Sequence, residues 1–128
     1  MPNSTQRLVV GVDDDIRIRE SLASLIESAG FTSVVFPSGE DFLRSGMLSE
    51  ASCLITDVRM AAMDGIELQR RVRFDRPQLP VIFISGHHSD EIQRKALEGG
   101  AIAFMYKPFD PGALLAVINQ AMSDSAQV

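Results

Sequence analysis

The sequence predicts a doubly wound α/β domain, a five-stranded parallel sheet with helices on both faces. Three observations lead there. Short apolar runs of strand length alternate with segments of helical periodicity. The runs are continuous rather than alternating, as in strands covered on both faces. The acidic, hydroxyl and basic residues that stand out follow directly after those runs, at the strand ends where open parallel sheets bind ligands.

The first strand is expected over residues 8–12, a run of Leu, Val and one Gly. Gly11 inside it is a mild weakness, since glycine costs entropy and packs nothing. Ile18, Leu22, Leu25, Ile26 and Ala29 then recur at helical spacing, and Gly30 suits the helix C-terminus. A weaker strand follows at 33–36. Ser38 with Asp41 resembles a capping arrangement for a short second helix, although Glu or Gln is the usual partner. The third strand is expected at 53–56. A third helix starts near Gly65 and stops before Pro77. The fourth strand covers 81–84. A helix after Ser89 carries Asp90 and Glu91 in its first turn and ends at Gly99–Gly100. The fifth strand covers 101–106. The last helix is the clearest, with Asp110 as N-cap and Pro111 at the first helical position. Leu114, Val117, Ile118, Ala121 and Met122 form its apolar stripe. Strands alternating with helices imply right-handed crossovers that cover both faces of one parallel sheet. Residues 1–123 read as the domain, and 124–128 as a polar tail or the start of a truncated linker.

Composition narrows the function. The chain has 128 residues, 45% hydrophobic and 23% charged, ordinary for one globular domain. No apolar run reaches the roughly 18 residues of a membrane-crossing helix. The polar start has no apolar leader, so the cytoplasm is the expected compartment. The single cysteine, Cys53, lies in an apolar run and reads as a buried, inert thiol. The net charge is −5, and Arg70, Arg71, Arg73 and Arg76 read as a solvated helix face. Direct binding of nucleic acid is therefore not expected of this stretch.

The strand ends carry the chemistry. Asp13, Asp14 and Asp15 follow the first strand, Asp57 the third, Ser85 the fourth and Lys107 the fifth. Each has a plain reading as a turn, cap or loop residue. Their shared position at one edge makes a common site the better account. Carboxylates gathered at one place repel and raise each other's pKa. A hard divalent cation relieves this, and Mg²⁺ (or Mn²⁺) suits a site with few protein ligands. A carboxylate beside such a cation can attack phosphorus and give an aspartyl phosphate. Lys107 and the Ser85 hydroxyl are then suited to the remaining phosphoryl oxygens.

At these residues the sequence resembles the receiver domain of bacterial two-component response regulators. The matching pieces are Val12-Asp13-Asp14, Asp57-Val58-Arg59-Met60 with Met63-Asp64-Gly65, Ile84-Ser85-Gly86 and Lys107-Pro108-Phe109. Their order and spacing fit from about Leu8 to Met122. The resemblance is strongest to regulators with a C-terminal helix-turn-helix output domain. It implies a flavodoxin-like (βα)5 fold and a set of roles. Asp57 is the phosphoryl acceptor. Asp13, Asp14, Asp57 and the backbone carbonyl of Arg59 hold Mg²⁺. Lys107 and Ser85 bind the phosphoryl group. Ser85 and Phe104 switch, and the side chains of Arg59 and His87 tune dephosphorylation. It also implies a sensor histidine kinase as donor, and self-catalysed phosphorylation and dephosphorylation rather than turnover of an external substrate. The changed surface would be the fourth helix, fifth strand and fifth helix. That surface would control a homodimer or a DNA-binding output domain outside this chain.

One departure concerns the loop after Met60. The family usually has Pro, often followed by Gly, and here Ala61 and Ala62 stand instead. Without the proline the loop is expected to be more mobile or able to continue into helix. An alternative function is an aspartyl-phosphate phosphatase of the haloacid-dehalogenase type. It requires an Asp two residues after its nucleophile, and position 59 is Arg. A flavodoxin-like phosphate-binding module would require a Gly- or Ser/Thr-rich loop after the first strand, where three aspartates stand.

Overall fold

The computed structural model describes residues 7–126. Five strands and five α-helices alternate: β1 Leu8–Val12, α1 Ile16–Ser28, β2 Thr32–Phe36, α2 Gly39–Ser45, β3 Ala51–Asp57, α3 Gly65–Asp75, β4 Val81–Ser85, α4 Asp90–Glu98, β5 Ala103–Tyr106 and α5 Pro111–Ala126. A 3₁₀ turn, Met47–Glu50, precedes β3. The sheet is wholly parallel, in the order β2-β1-β3-β4-β5. The doubly wound fold read from the sequence is therefore present.

Side chains alternate along each strand, so neighbouring residues serve opposite layers. Val10, Leu54 and Phe83 pack with Phe42 of α2, Leu68 and Val72 of α3 and Ala96 of α4. Val9, Ile55, Ile82 and Ile84 pack with Leu22 and Ile26 of α1 and Leu114 and Ile118 of α5. Each of these large apolar side chains contributes roughly 1.5–3 kcal/mol by leaving water. The central strands β1, β3 and β4 are almost wholly buried, while β2 and β5, at the sheet edges, are half-buried.

Side-chain caps start the helices. Asp15, Ser38, Asp64 and Ser89 accept from the backbone N–H groups of Arg17, Asp41, Glu67 and Ile92. Asp110 accepts from Ala113 N at 2.8 Å, as its N-cap reading requires. Such caps are worth about 1 kcal/mol each. Gly30 and Gly100 follow their helices with positive φ. Gly11 is better explained by packing than as a weakness. A Cβ there would meet Leu22 Cδ1 at 3.2 Å and Val35 Cγ1 at 3.3 Å.

Several boundaries differ from the sequence reading: β2 begins one residue earlier, at Thr32, and β4 ends one residue later, at Ser85. β3 begins at Ala51 and ends at Asp57, so the acid belongs to the strand rather than the loop. β5 begins at Ala103, because the Ala101 N–H closes the end of α4 on the Ala96 carbonyl. α5 runs through Ala126, so part of the stretch 124–128 continues the helix, and 127–128 lie outside the described residues. The loop after Met60 does not continue into helix. Ala62 takes φ 65, a left-handed conformation that stops one.

Candidate acidic site at the carboxyl edge of the sheet

β1 and β3 are neighbours with Val12 opposite Thr56, so Asp13 and Asp57 leave the sheet side by side. β4 pairs with β3 up to Asp57 opposite Ile84, which places Ser85 one step beyond the acid. β5 pairs with β4 up to Ser85 opposite Tyr106, and Lys107 follows. The parallel register thus carries four separated stretches of chain to one edge.

The residues meet there as charges. Carboxylate oxygens of Asp13, Asp14 and Asp57 lie within 4.8 Å of one another. Asp13 is fully buried, Asp57 nearly so, and Asp14 exposed. The Lys107 ammonium lies 2.9 Å from Asp13 Oδ2 and 3.2 Å from Asp57 Oδ2. It donates a hydrogen bond to Asp57. The shorter approach, to Asp13, is an ion pair with a fully buried carboxylate, and Lys107 is the partner of that buried Oδ2. Asp13 Oδ1 accepts from Asp15 N at 2.9 Å, and Arg19 donates to the Asp13 carbonyl. Lys107 is joined to Pro108 by a cis peptide bond.

Burial pushes the Asp57 carboxyl above the ordinary carboxylate value, and the adjacent Asp13 charge adds to this. Lys107 and the Val58 N–H oppose the rise without cancelling it. Burial works against the Lys107 ammonium, but Asp13 and then Asp57 outweigh it, and its pKa is raised.

This arrangement fits a hard divalent cation. Carboxylate oxygens are the preferred donors, three of them lie within reach of one ion, and an exposed aspartate opens the cluster to solvent. One ammonium cannot balance three carboxylates, so the cluster retains net negative charge.

The remaining residues divide. Asp15 does not join the cluster, because its carboxylate caps α1 and pairs with Arg17. Ser85 is buried, and its hydroxyl is turned into its own loop. It donates to the His87 carbonyl at 3.0 Å and accepts from His87 N at 3.1 Å. Phe104 is half-buried, stacked on Phe83 at 5.9 Å and edge-on to Tyr106 at 5.5 Å. Arg59 and His87 are exposed, and among the described residues neither side chain has a hydrogen bond or ion pair to the acidic cluster.

Two positioning features escape the sequence reading. Gly65 N donates to the Val58 carbonyl at 2.7 Å, and a Cβ on Gly65 would lie 2.2 Å from the Asp57 carbonyl oxygen. The start of α3 therefore presses directly on the backbone of Asp57. A glycine at the first position of a helix, where alanine is the better helix former, is the signal that marks it. The other is the contact of Lys107 with Asp13 as well as Asp57, for which a single sequence holds no signal.

The chain belongs to the response regulator receiver domain family, whose pattern it matches over residues 9–119. The class is the receiver domain of two-component response regulators. Among similar proteins, the response regulator protein TodT of Pseudomonas putida is 40% identical over 116 residues, covering 91% of this chain and 51% of TodT. The transcriptional regulatory protein FixJ of Azorhizobium caulinodans is 35% identical over 116 residues, covering 91% of this chain and 55% of FixJ. The chain thus spans about half the length of these relatives. A solved response regulator receiver protein from Pseudomonas putida superposes with TM-score 0.84 at 31% identity, covering 91% of this chain and 98% of that one. The phosphatase alternative finds no support, since both the matched family and these relatives are signalling regulators.

Proposed function

We propose that Asp57 accepts a phosphoryl group from a phosphohistidine of a sensor kinase and that the domain then changes its binding surface. The observation that carries this reading is the buried pairing of Asp57 and Asp13 across one ammonium, with exposed Asp14 completing a three-carboxylate cluster beside it. An Asp57 carboxylate oxygen would attack phosphorus as the phosphorus–nitrogen bond breaks, and the departing imidazole takes up a proton. Asp13, Asp14, Asp57 and the Arg59 carbonyl would hold Mg²⁺, which when bound offsets charge on the carboxylates and on a phosphoryl oxygen. Lys107, already beside the Asp57 carboxylate, covers a second phosphoryl oxygen. The Ser85 hydroxyl leaves His87 to donate to a third. Phe104 follows the space that Ser85 vacates. Arg59 and His87, exposed near the mouth, set the access of water that later hydrolyses the acyl phosphate.

The partners follow from the same reading. The donor is a sensor histidine kinase. The responsive surface is α4, β5 and α5, and its change controls homodimerisation or an output domain that regulates transcription. Support comes from the relatives, about twice as long, one of which is described as a transcriptional regulatory protein. The receiver in this reading extends through the end of α5 at Ala126.

The test is incubation of the protein and Asp57→Ala with Mg²⁺ and phosphoramidate, followed by intact mass and size measurement. One phosphoryl adduct on the wild type alone is expected, with a shift in size if the surface drives dimerisation. An adduct of equal yield on Asp57→Ala would overturn the assignment of the acceptor.

A further inference from the structure

The loop after β4 and the end of β5 carry an aromatic arrangement that the acidic site does not use. The His88 ring lies flat on the Tyr106 ring, with centroids 3.9 Å apart and planes 8° apart. The Tyr106 hydroxyl donates to Gln93 Oε1 at 2.7 Å. Tyr106 is thus held by the loop before α4 on one side and by α4 on the other. It also sits opposite Ser85 in the sheet, and Ser85 bonds the backbone of His87, the neighbour of His88.

The two ends of α4 are held differently. Its C-terminal end is tied to α3, where buried Gln69 donates to the Ala96 carbonyl at 2.9 Å and Arg73 donates to the Gly99 carbonyl. Its N-terminal end packs on the core through half-buried Ile92 and is bonded to β5 through the hydroxyl of half-buried Tyr106. Gly86 between Ser85 and His87 is exposed, and a Cβ there would meet nothing closer than 3.9 Å. The loop therefore has room to turn.

We infer that His88 and Gln93 form a latch on Tyr106 that holds the Ser85 hydroxyl against its own loop, away from a group bound at Asp57. The inference rests on the proposed phosphoryl site. To donate towards Asp57, the Ser85 hydroxyl gives up the His87 carbonyl, and the backbone of residue 87 shifts. That shift lifts His88 off Tyr106 and loosens α4 at the end that Gln69 and Arg73 do not hold. A stacked aromatic pair opposes such a change by about two- to tenfold in an equilibrium constant. Affinity for a ligand that selects the turned state falls by the same factor.

Beryllofluoride with Mg²⁺, which mimics a phosphoryl group on a carboxylate, is the probe. Its binding is titrated by amide NMR of Ser85 and Gly86 in the wild type, His88→Ala, Gln93→Ala and Tyr106→Phe. His88→Ala is expected to bind about three- to tenfold more tightly, because the stack is gone. Tyr106→Phe and Gln93→Ala keep the stack and should gain less, about twofold. Unchanged or weaker binding in His88→Ala, with a native-like spectrum, overturns the latch. If His88→Ala loses its native spectrum, unchanged binding in both Tyr106→Phe and Gln93→Ala overturns it. Failure of the wild type to bind beryllofluoride at all, together with no phosphoryl adduct on Asp57, overturns the phosphoryl site and the latch with it.

Discussion

The β3 and β5 ends of the site are built in opposite ways. Asp57 ends a strand buried on both faces, pressed by the start of α3 and flanked by β1 and β4. Tyr106 ends an edge strand that is half-buried throughout, held by a ring stack and one side-chain hydrogen bond. A reacting group requires fixed geometry, and rigid elements supply it. A responding surface requires low-cost movement, and it is drawn from the less buried parts of a fold. The contrast places the chemistry on the rigid centre and the response on the loosely held edge.

The largest effect is expected at Gly65. Gly65→Ala sets a Cβ against the Asp57 carbonyl and should destabilise the fold by about 3 kcal/mol, read by urea denaturation. A loss below about 0.5 kcal/mol would mean that the centre is more compliant than its packing implies. Lys107→Ala leaves Asp13 and Asp57 facing each other without a cation. A sealed pair would lose about 3–5 kcal/mol, but solvent reaches this one, so about 2 kcal/mol is expected. Added Mg²⁺ should restore much of it, and a melt with and without the cation checks this.

Asp57→Asn should stabilise the metal-free protein by about 1 kcal/mol at neutral pH, a rise of a few degrees in Tm. The sign follows from linkage. The folded-state pKa of Asp57 is raised above the ordinary 3.8, so the folded protein binds this proton more tightly than the unfolded chain. The cost of the carboxylate grows as pH rises through the window from 3.8 to the folded value and is complete above it. The gain in Asp57→Asn should therefore shrink as pH falls through that window. Mg²⁺ should reverse the ranking at pH 7, since only the wild type offers it a third carboxylate.

Ala62→Gly removes a left-handed conformation that costs an L-residue roughly 1 kcal/mol. Part of that returns as unfolded-chain entropy, so a net gain of about 0.5 kcal/mol is expected by denaturation. The smallest effect is a null. Burial raises the Cys53 thiol from 9.0 to about 12, so native protein at pH 8 should not react with iodoacetamide, whereas urea-unfolded protein should. Rapid labelling of the folded form would show that the β3 centre opens.

Much of this was legible from local pattern. The alternation of apolar runs with helical stripes follows from periods set by backbone geometry, so all five strands and five α-helices could be placed. The caps at Ser38 and Asp110 are readable because their partners lie within three residues. The boundary of β5 was not, since its start depends on Ala101 closing α4. The latch was not either, because a lone His and Tyr in sequence carry no sign of stacking.

The doubly wound architecture and the residues at the strand ends were readable from the chain, because strand and helix periods are local and right-handed crossovers then restrict how the strands can pair. What those residues do to each other follows from long-range packing. Lys107 is 50 positions from Asp57, and it reaches both Asp57 and Asp13 because the sheet order β2-β1-β3-β4-β5 sets β1 and β3 side by side. The same packing brings Gly65 against the Asp57 backbone and buries the Asp13 carboxylate beside Asp57. Desolvation and charge repulsion act through space, so the raised pKa of Asp57 is a property of that assembled edge.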